Sequence, residues 1–141
     1  MRGKWSALSK KIIETLWVLK DKKIGVLGLA FKQNTDDVRT SPAIELCQRL
    51  QKEGAILRVH DPKAMGKARA ILSNVTYVDD MNDVAEGCDA LVVATEWDEF
   101  KKLDLERARK ALTHPIMFDG RNLFDPGEME RLGWIYKSVG R

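Results

Sequence analysis

Ile24-Gly25-Val26-Leu27-Gly28-Leu29 carries no polar side chain at any position, and Ala90-Leu91-Val92-Val93-Ala94 repeats that pattern later in the chain. A sheet with one wet face alternates polar and apolar residues along each strand. A strand buried on both faces reads instead as a continuous apolar run. These two segments therefore belong at the centre of a parallel sheet covered by helices. Six strands are expected in all, at Ile24–Leu29, Ile56–His60, Thr76–Val78, Ala90–Thr95, Ile116–Asp119 and Ile135–Val139. Amphipathic segments fill the intervals at Pro42–Lys52, Ala64–Leu72, Asn82–Glu86, Asp98–Leu112 and Pro126–Leu132. Strands that alternate with helices in this way specify an α/β domain, a Rossmann-like doubly wound parallel sheet.

Upstream of the sheet, Trp5, Leu8, Ile12, Leu16 and Leu19 recur at spacings of three and four, which predicts an N-terminal helix over residues 5–20. Ile13 and Trp17 widen its apolar stripe beyond what a lone surface helix keeps wet. The stripe is expected to pack on its own domain or on a second copy, giving a homodimer. The 141 residues suit one domain. A composition of 44% hydrophobic and 32% charged residues argues against disorder. Lys and Arg total 24 against 21 Asp and Glu, an interspersed excess of +3 that gives no nucleic-acid surface. No apolar run approaches the roughly 18–20 residues of a membrane span. Glu14 interrupts the one stretch that resembles a signal peptide, and no small-residue cleavage site follows it. The two cysteines, Cys47 and Cys88, fit neither a disulfide scaffold nor a Cys-based zinc site. A reducing, cytoplasmic compartment is expected.

In open α/β sheets, ligands bind beyond the carboxyl ends of the strands, where the strand order reverses. After the first strand the chain runs Ala30-Phe31-Lys32-Gln33-Asn34-Thr35-Asp36-Asp37-Val38-Arg39-Thr40. Ser41 as N-cap and Pro42 as first-turn proline then start the next helix. A dinucleotide fingerprint needs glycines two and five positions after Gly28. Ala30 and Gln33 stand there instead, and Phe31 adds bulk where a pyrophosphate would approach the backbone. The frame is that of a dinucleotide-binding domain without its turn. Two readings of the loop stay open. It is either a solvated surface loop, or it presents Lys32 and Arg39, with Asp36 and Asp37 between them, to an anionic ligand.

The fifth strand ends in Phe118-Asp119-Gly120-Arg121-Asn122. In the usual strand order one neighbour separates it from the first, so Lys32 and Arg121 should emerge on one edge from strands roughly 10 Å apart. From there they could converge on a diphosphate. Taken alone, Arg121 also reads as a surface or carboxylate-paired arginine. Gly120 is expected to let the backbone approach a ligand closely. Asp61 followed by Pro62 reads as a turn former, ahead of a ribose ligand. Glu96 and Trp97 are placed to line a cleft, or Trp97 to pack. His60 and His114 stand apart from any ligand cluster, so no metal site is assigned. Cys47 shares a helical stripe with Ala43 and Leu50 and belongs to the core. Cys88 has no His or Lys beside it to activate its thiol. No catalytic residue is assigned.

Gly28-Leu29-Ala30-Phe31-Lys32, followed by Asn34-Thr35-Asp36-Asp37, Arg39 and Ser41-Pro42-Ala43, resembles the nucleotide-sugar dehydrogenase family, most of all its UDP-glucose-oxidising branch. Asp119-Gly120-Arg121-Asn122 and His60-Asp61-Pro62-Lys63-Ala64-Met65 are similar to the same family. The likeness covers residues 22–141, which it implies are a C-terminal, UDP-sugar-binding domain. Residues 1–21 then resemble the end of the helix that links it to the family's central domain. For the whole enzyme the resemblance implies a four-electron oxidation of UDP-glucose to UDP-glucuronate. That reaction uses two NAD and passes through a cysteine-bound thiohemiacetal and thioester. By the same likeness Phe31 and Lys32 contact the sugar nucleotide, Arg121 the UDP portion, and Arg39 the NAD held by another domain. The GxGxxG domain and the segment with the catalytic cysteine have no counterpart in this sequence. The expectation is therefore a domain that binds UDP-glucose or UDP, binds NAD weakly if at all, and is inactive alone. The alternatives are a stand-alone UDP-sugar-binding or regulatory module, and a structural half that completes an oligomer. A third is the same domain from the GDP-mannose or UDP-N-acetylmannosamine branch.

Overall fold

The computed structural model describes residues 4–139. Six strands form one parallel sheet: β1 (Lys23–Leu27), β2 (Ile56–His60), β3 (Thr76–Tyr77), β4 (Ala90–Val93), β5 (Ile116–Asp119) and β6 (Ile135–Ser138). Their order is β3-β2-β1-β4-β5-β6, which reverses direction between β1 and β4. This is the doubly wound, Rossmann-like sheet that the two apolar runs predict. β4 and β5 are buried at every position, and β1 at all but its first, so both faces of the central strands are covered. The register pairs Leu27 with His60 and Val93, and Val93 with Asp119. The residues that follow these strands therefore leave the sheet at one level.

The helices are α1 (Lys4–Leu16), α2 (Pro42–Lys52), α3 (Met65–Ala68), α4 (Leu105–Ala111) and α5 (Pro126–Arg131). α2 matches its expected limits because both ends are signalled in the sequence. Ser41 accepts from the Ile44 N–H at its start, and Pro42 fills the first turn. The segment expected to be helical over 98–112 is instead a short 3-10 helix, Asp98–Lys102, followed by α4. Asp104 divides the two by capping the Arg107 N–H at 3.0 Å. Residues 82–86 are likewise shortened, to a 3-10 turn at Met81–Asp83 that Asp80 caps at 2.9 Å. Ala64–Leu72 keeps only the four residues of α3, where Gly66 weakens propagation. The first and fourth strands end at Leu27 and Val93, two residues short of their expected limits. Gly28 and Ala94 give the last ladder-like bonds, Gly28 N–H to His60 at 2.8 Å and Ala94 N–H to Leu27 at 2.8 Å.

α1 packs Trp5, Leu8 and Ile12 into the same core as the sheet, joined by Leu19 beyond the helix end. Lys11 ties the helix to β6 by donating to the Ser138 carbonyl at 2.5 Å. The predicted helix over 5–20 is shorter in fact, and its wide stripe is not all covered. α1 stops at Leu16, because Trp17 takes a left-handed backbone (φ 66) and leaves its indole 85% exposed. The Trp17 N–H reaches Ile13 at 2.8 Å, as the residue just past a helix does. That position favours glycine, since a side chain there crowds the following carbonyl at a cost of about 1–2 kcal/mol. Trp17→Gly loses little packing and is expected to raise stability by about 1 kcal/mol, a gain of roughly 2–4 °C in Tm for a domain of this size. Paired thermal melts of parent and variant measure it, and a lower Tm in the variant refutes the argument.

Candidate functional site

The reversal of strand order opens the sheet's carboxyl edge between β1 and β4, flanked by the loop after β1 and the ends of β2, β4 and β5. In a dinucleotide-binding domain, backbone N–H groups of the first turn face a pyrophosphate there. Here they face the protein's own carboxylate. Asp61, fully buried, accepts from the Leu29 and Ala30 N–H groups at 2.8 and 3.0 Å through one oxygen. The same oxygen takes the Trp97 indole N–H at 3.1 Å. Its second oxygen accepts from Lys63 and Ala64 at 2.9 and 2.8 Å. Asp61 is thus a turn former, as the sequence suggests, and also the anion of the switch point. Gly28 completes the closure, for a Cβ there would lie 2.4 Å from the Thr95 side chain and its φ is +103. This turn does not fit the pyrophosphate of a dinucleotide.

The chain then makes a closed excursion from residue 29 to 41. Ser41 donates its hydroxyl to the Leu29 carbonyl at 2.8 Å, and the Phe31 N–H reaches Asp37 at 2.8 Å. Within the excursion Asp37 holds Arg39 through its side chain at 3.1 and 3.2 Å and through the Arg39 N–H at 2.9 Å. These bonds, the side-chain pair first, lower the Asp37 pKa to about 2, so the clasp persists across the neutral range. The Arg39 side chain is still 88% exposed. Phe31, Asp37, Arg39 and Thr40 line an open cleft of about 370 Å³. Asp36 pairs with Lys67 at 3.1 Å. Lys32 is exposed and makes no ion pair among the described residues. A larger hollow, beside Gln48 and Ile56, lies where β2 begins, at the sheet's opposite end.

Arg121 leaves the carboxyl end of β5 with only β4 between that strand and β1. Its backbone N–H donates to Asp119 at 3.0 Å, and its guanidinium pairs with Glu96 from the end of β4. Asp119 is a second fully buried carboxylate. It also accepts from Leu123 and Phe124 at 2.8 and 3.0 Å and from the Tyr136 hydroxyl at 2.5 Å. Gly120 has a part in packing that its sequence context does not suggest. A Cβ there would come within 2.7 Å of Leu8 and 3.2 Å of Trp5, so the glycine admits a close approach by α1. Glu96 stands at this edge, and Trp97 both packs and donates a hydrogen bond. The hubs at Asp61 and Asp119 went unrecognised. Their signal is an acidic residue at or just beyond the end of a buried strand, followed closely by several backbone N–H donors.

Cys47 and Cys88 are both buried, and burial pushes their thiols up to about 12 and about 11. Neither is poised as a nucleophile. His60 is buried with its Nδ1 2.7 Å from the Val78 carbonyl, while His114 is exposed. No group of three or more His, Cys, Asp or Glu that could hold a metal lies among the described residues, and no helix among them is long and apolar enough to cross a membrane.

Fold and site together define a doubly wound nucleotide-binding type of domain whose phosphate turn is filled by an internal carboxylate. Residues 25–126 match the UDP-glucose/GDP-mannose dehydrogenase family, UDP binding domain, and the chain belongs to that family. UDP-glucose 6-dehydrogenase TuaD of Bacillus subtilis is 42% identical over 132 residues, which are 93% of this chain and 29% of that protein. The UDP-glucose 6-dehydrogenase of Rhizobium meliloti is 40% identical over 96% of this chain and 31% of its own length. Among solved structures, a UDP-glucose dehydrogenase from Pyrobaculum islandicum superposes with a TM-score of 0.80 at 36% identity, over 95% of this chain and 29% of that one. A UDP-D-ManNAc dehydrogenase from Pyrococcus horikoshii gives 0.75 at 30% identity, over 97% of this chain and 30% of that one. The chain thus spans under a third of each of these relatives.

The weight resting on Asp61 is measurable. Asp61→Asn keeps the shape but replaces one acceptor oxygen by a donor that faces N–H groups already in place. Donors buried without an acceptor cost about 1–3 kcal/mol each, so a loss of about 3 kcal/mol or more is expected. Urea unfolding should show it as a lower midpoint with an unchanged slope. A midpoint near that of the parent would show that the buried donors find other acceptors.

Proposed function

We propose that this chain is the UDP-sugar-binding domain of a UDP-glucose 6-dehydrogenase, and that it takes UDP-glucose or UDP through side chains at the carboxyl ends of β1 and β5. One observation carries the reading. The backbone donors that grip a pyrophosphate in a dinucleotide site are spent on Asp61, so an anion at this edge has to be held by side-chain cations. Lys32 and Arg121, at the β1 and β5 exits, are the cations assigned to it, and charge-assisted bonds from them to a diphosphate are the strong kind. Phe31, 47% exposed beside Lys32, offers an apolar surface to the sugar nucleotide. Arg39, outward-facing on its Asp37 clasp, is assigned to NAD held by another domain. The nucleophile and the dinucleotide site of the oxidation belong to the remainder of a longer polypeptide. Cys47 and Cys88 of this chain are buried and held as thiols, so a mixture of the chain, UDP-glucose and NAD should form no NADH. Steady NADH formation that depends on UDP-glucose would overturn this assignment.

Calorimetric titration at fixed salt tests the binding roles. Lys32→Ala and Arg121→Ala should each weaken UDP by roughly 30- to 150-fold, the equivalent of about 2–3 kcal/mol. Arg39→Ala should stay close to the parent. Parallel titrations with GDP-mannose and NAD separate the branches, with UDP and UDP-glucose expected to bind more tightly than either. Equal losses from all three substitutions would show that the roles within the site are misassigned.

A further inference from the structure

Arg121 is held on two sides, and one of them is supplied from far away in the sequence. Its guanidinium carbon lies 5.8 Å from the centroid of the Trp5 ring, within the range of a cation–π contact. Glu96 pairs with the same guanidinium, which leaves the Arg121 side chain only 20% exposed. Trp5 is itself 7% exposed and stands against Gly120, the neighbour of Arg121, where a Cβ would crowd the Leu8 and Trp5 side chains. Two consequences follow from chemistry alone. A free arginine loses side-chain entropy when it grips a phosphate, whereas one already fixed between a ring and a carboxylate has lost it beforehand. The pair also engages one guanidinium nitrogen and leaves other N–H donors of the fork for an anion.

We infer that Trp5 is a positioning residue for Arg121, through which α1 sets the affinity of the diphosphate site. The inference rests on the UDP reading given above and adds to it a side chain outside the loops that carry the family motifs. It also makes the placement of α1 a determinant of binding, since the ring reaches Arg121 only while Leu8 and Trp5 sit on Gly120.

The test is a double-mutant cycle read by UDP titration, with melting temperatures recorded alongside. Trp5→Leu keeps apolar bulk and removes the aromatic face, and it should weaken UDP about fivefold, the scale of one such contact. Trp5→Phe, which restores a ring, should recover most of that loss. In an Arg121→Ala background, Trp5→Leu should have no further effect on the dissociation constant. A Trp5→Leu constant within twofold of the parent overturns the inference. So does a fivefold loss that persists without Arg121, because Trp5 would then act through the general integrity of the fold. Arg121→Ala alone distinguishes the two levels. If that variant binds UDP as the parent does, the diphosphate reading itself fails, and the role of Trp5 fails with it.

Discussion

The carboxyl edge of the sheet depends on one buried carboxylate satisfied without a cation. Asp61 is held by four backbone N–H groups and one indole N–H drawn from three segments: the β1 exit, the β2 exit and the β4 exit. A buried charge needs full hydrogen bonding to be tolerable at all. The requirement therefore runs in both directions, since the charge fixes the turns and the turns accommodate the charge. Asp119 repeats the device at the β5 exit, where it sets the turn that carries Arg121. With these backbone amides matched to internal carboxylates, Lys32 and Arg39 face outward while Arg121 is held between Glu96 and Trp5.

On the proposed reading, a familiar sheet exchanges one nucleotide-binding mode for another. The strand order and the switch point are those of a dinucleotide domain. Filling the turn with Asp61 and the Thr95 side chain removes the backbone cradle, and the excursion from 29 to 41 supplies side chains in its place. The helix ahead of the sheet reaches Arg121 from outside through Trp5. On the proposed reading, affinity for a diphosphate would be spread over the β1 loop, the β4 and β5 exits and α1, and would depend on how these parts are docked.

The fold was legible because its signals are local. Continuous apolar runs identified β1 and β4, and the Ser41-Pro42 start fixed α2 to the residue. The errors were local too. Asp104 split an apparently continuous helix, and Trp17 ended α1 in a backbone conformation that its side chain disfavours. Of the proposed site, the sequence shows only which residue types stand near the β1 and β5 exits, Lys32, Arg39 and Arg121, and that the glycines after Gly28 are missing. What pairs with what it does not show. Glu96 with Arg121 spans 25 positions, Asp61 with Trp97 spans 36, and Trp5 with Arg121 spans 116, and no periodicity records such contacts. Gly120 shows the same limit, since a tight approach can be inferred from a glycine but not the identity of what approaches.

The two edges of the sheet have a consequence for association. On one side the sheet ends in β3, only two residues long, and on the other in β6, four residues long with Lys137 exposed. A short edge, or one carrying a lysine, is a poor template for another strand. The parallel sheet is therefore hard to extend by backbone pairing, which disfavours edge-to-edge polymerisation at high concentration. Contacts made by side chains instead can be altered one residue at a time without disturbing the sheet.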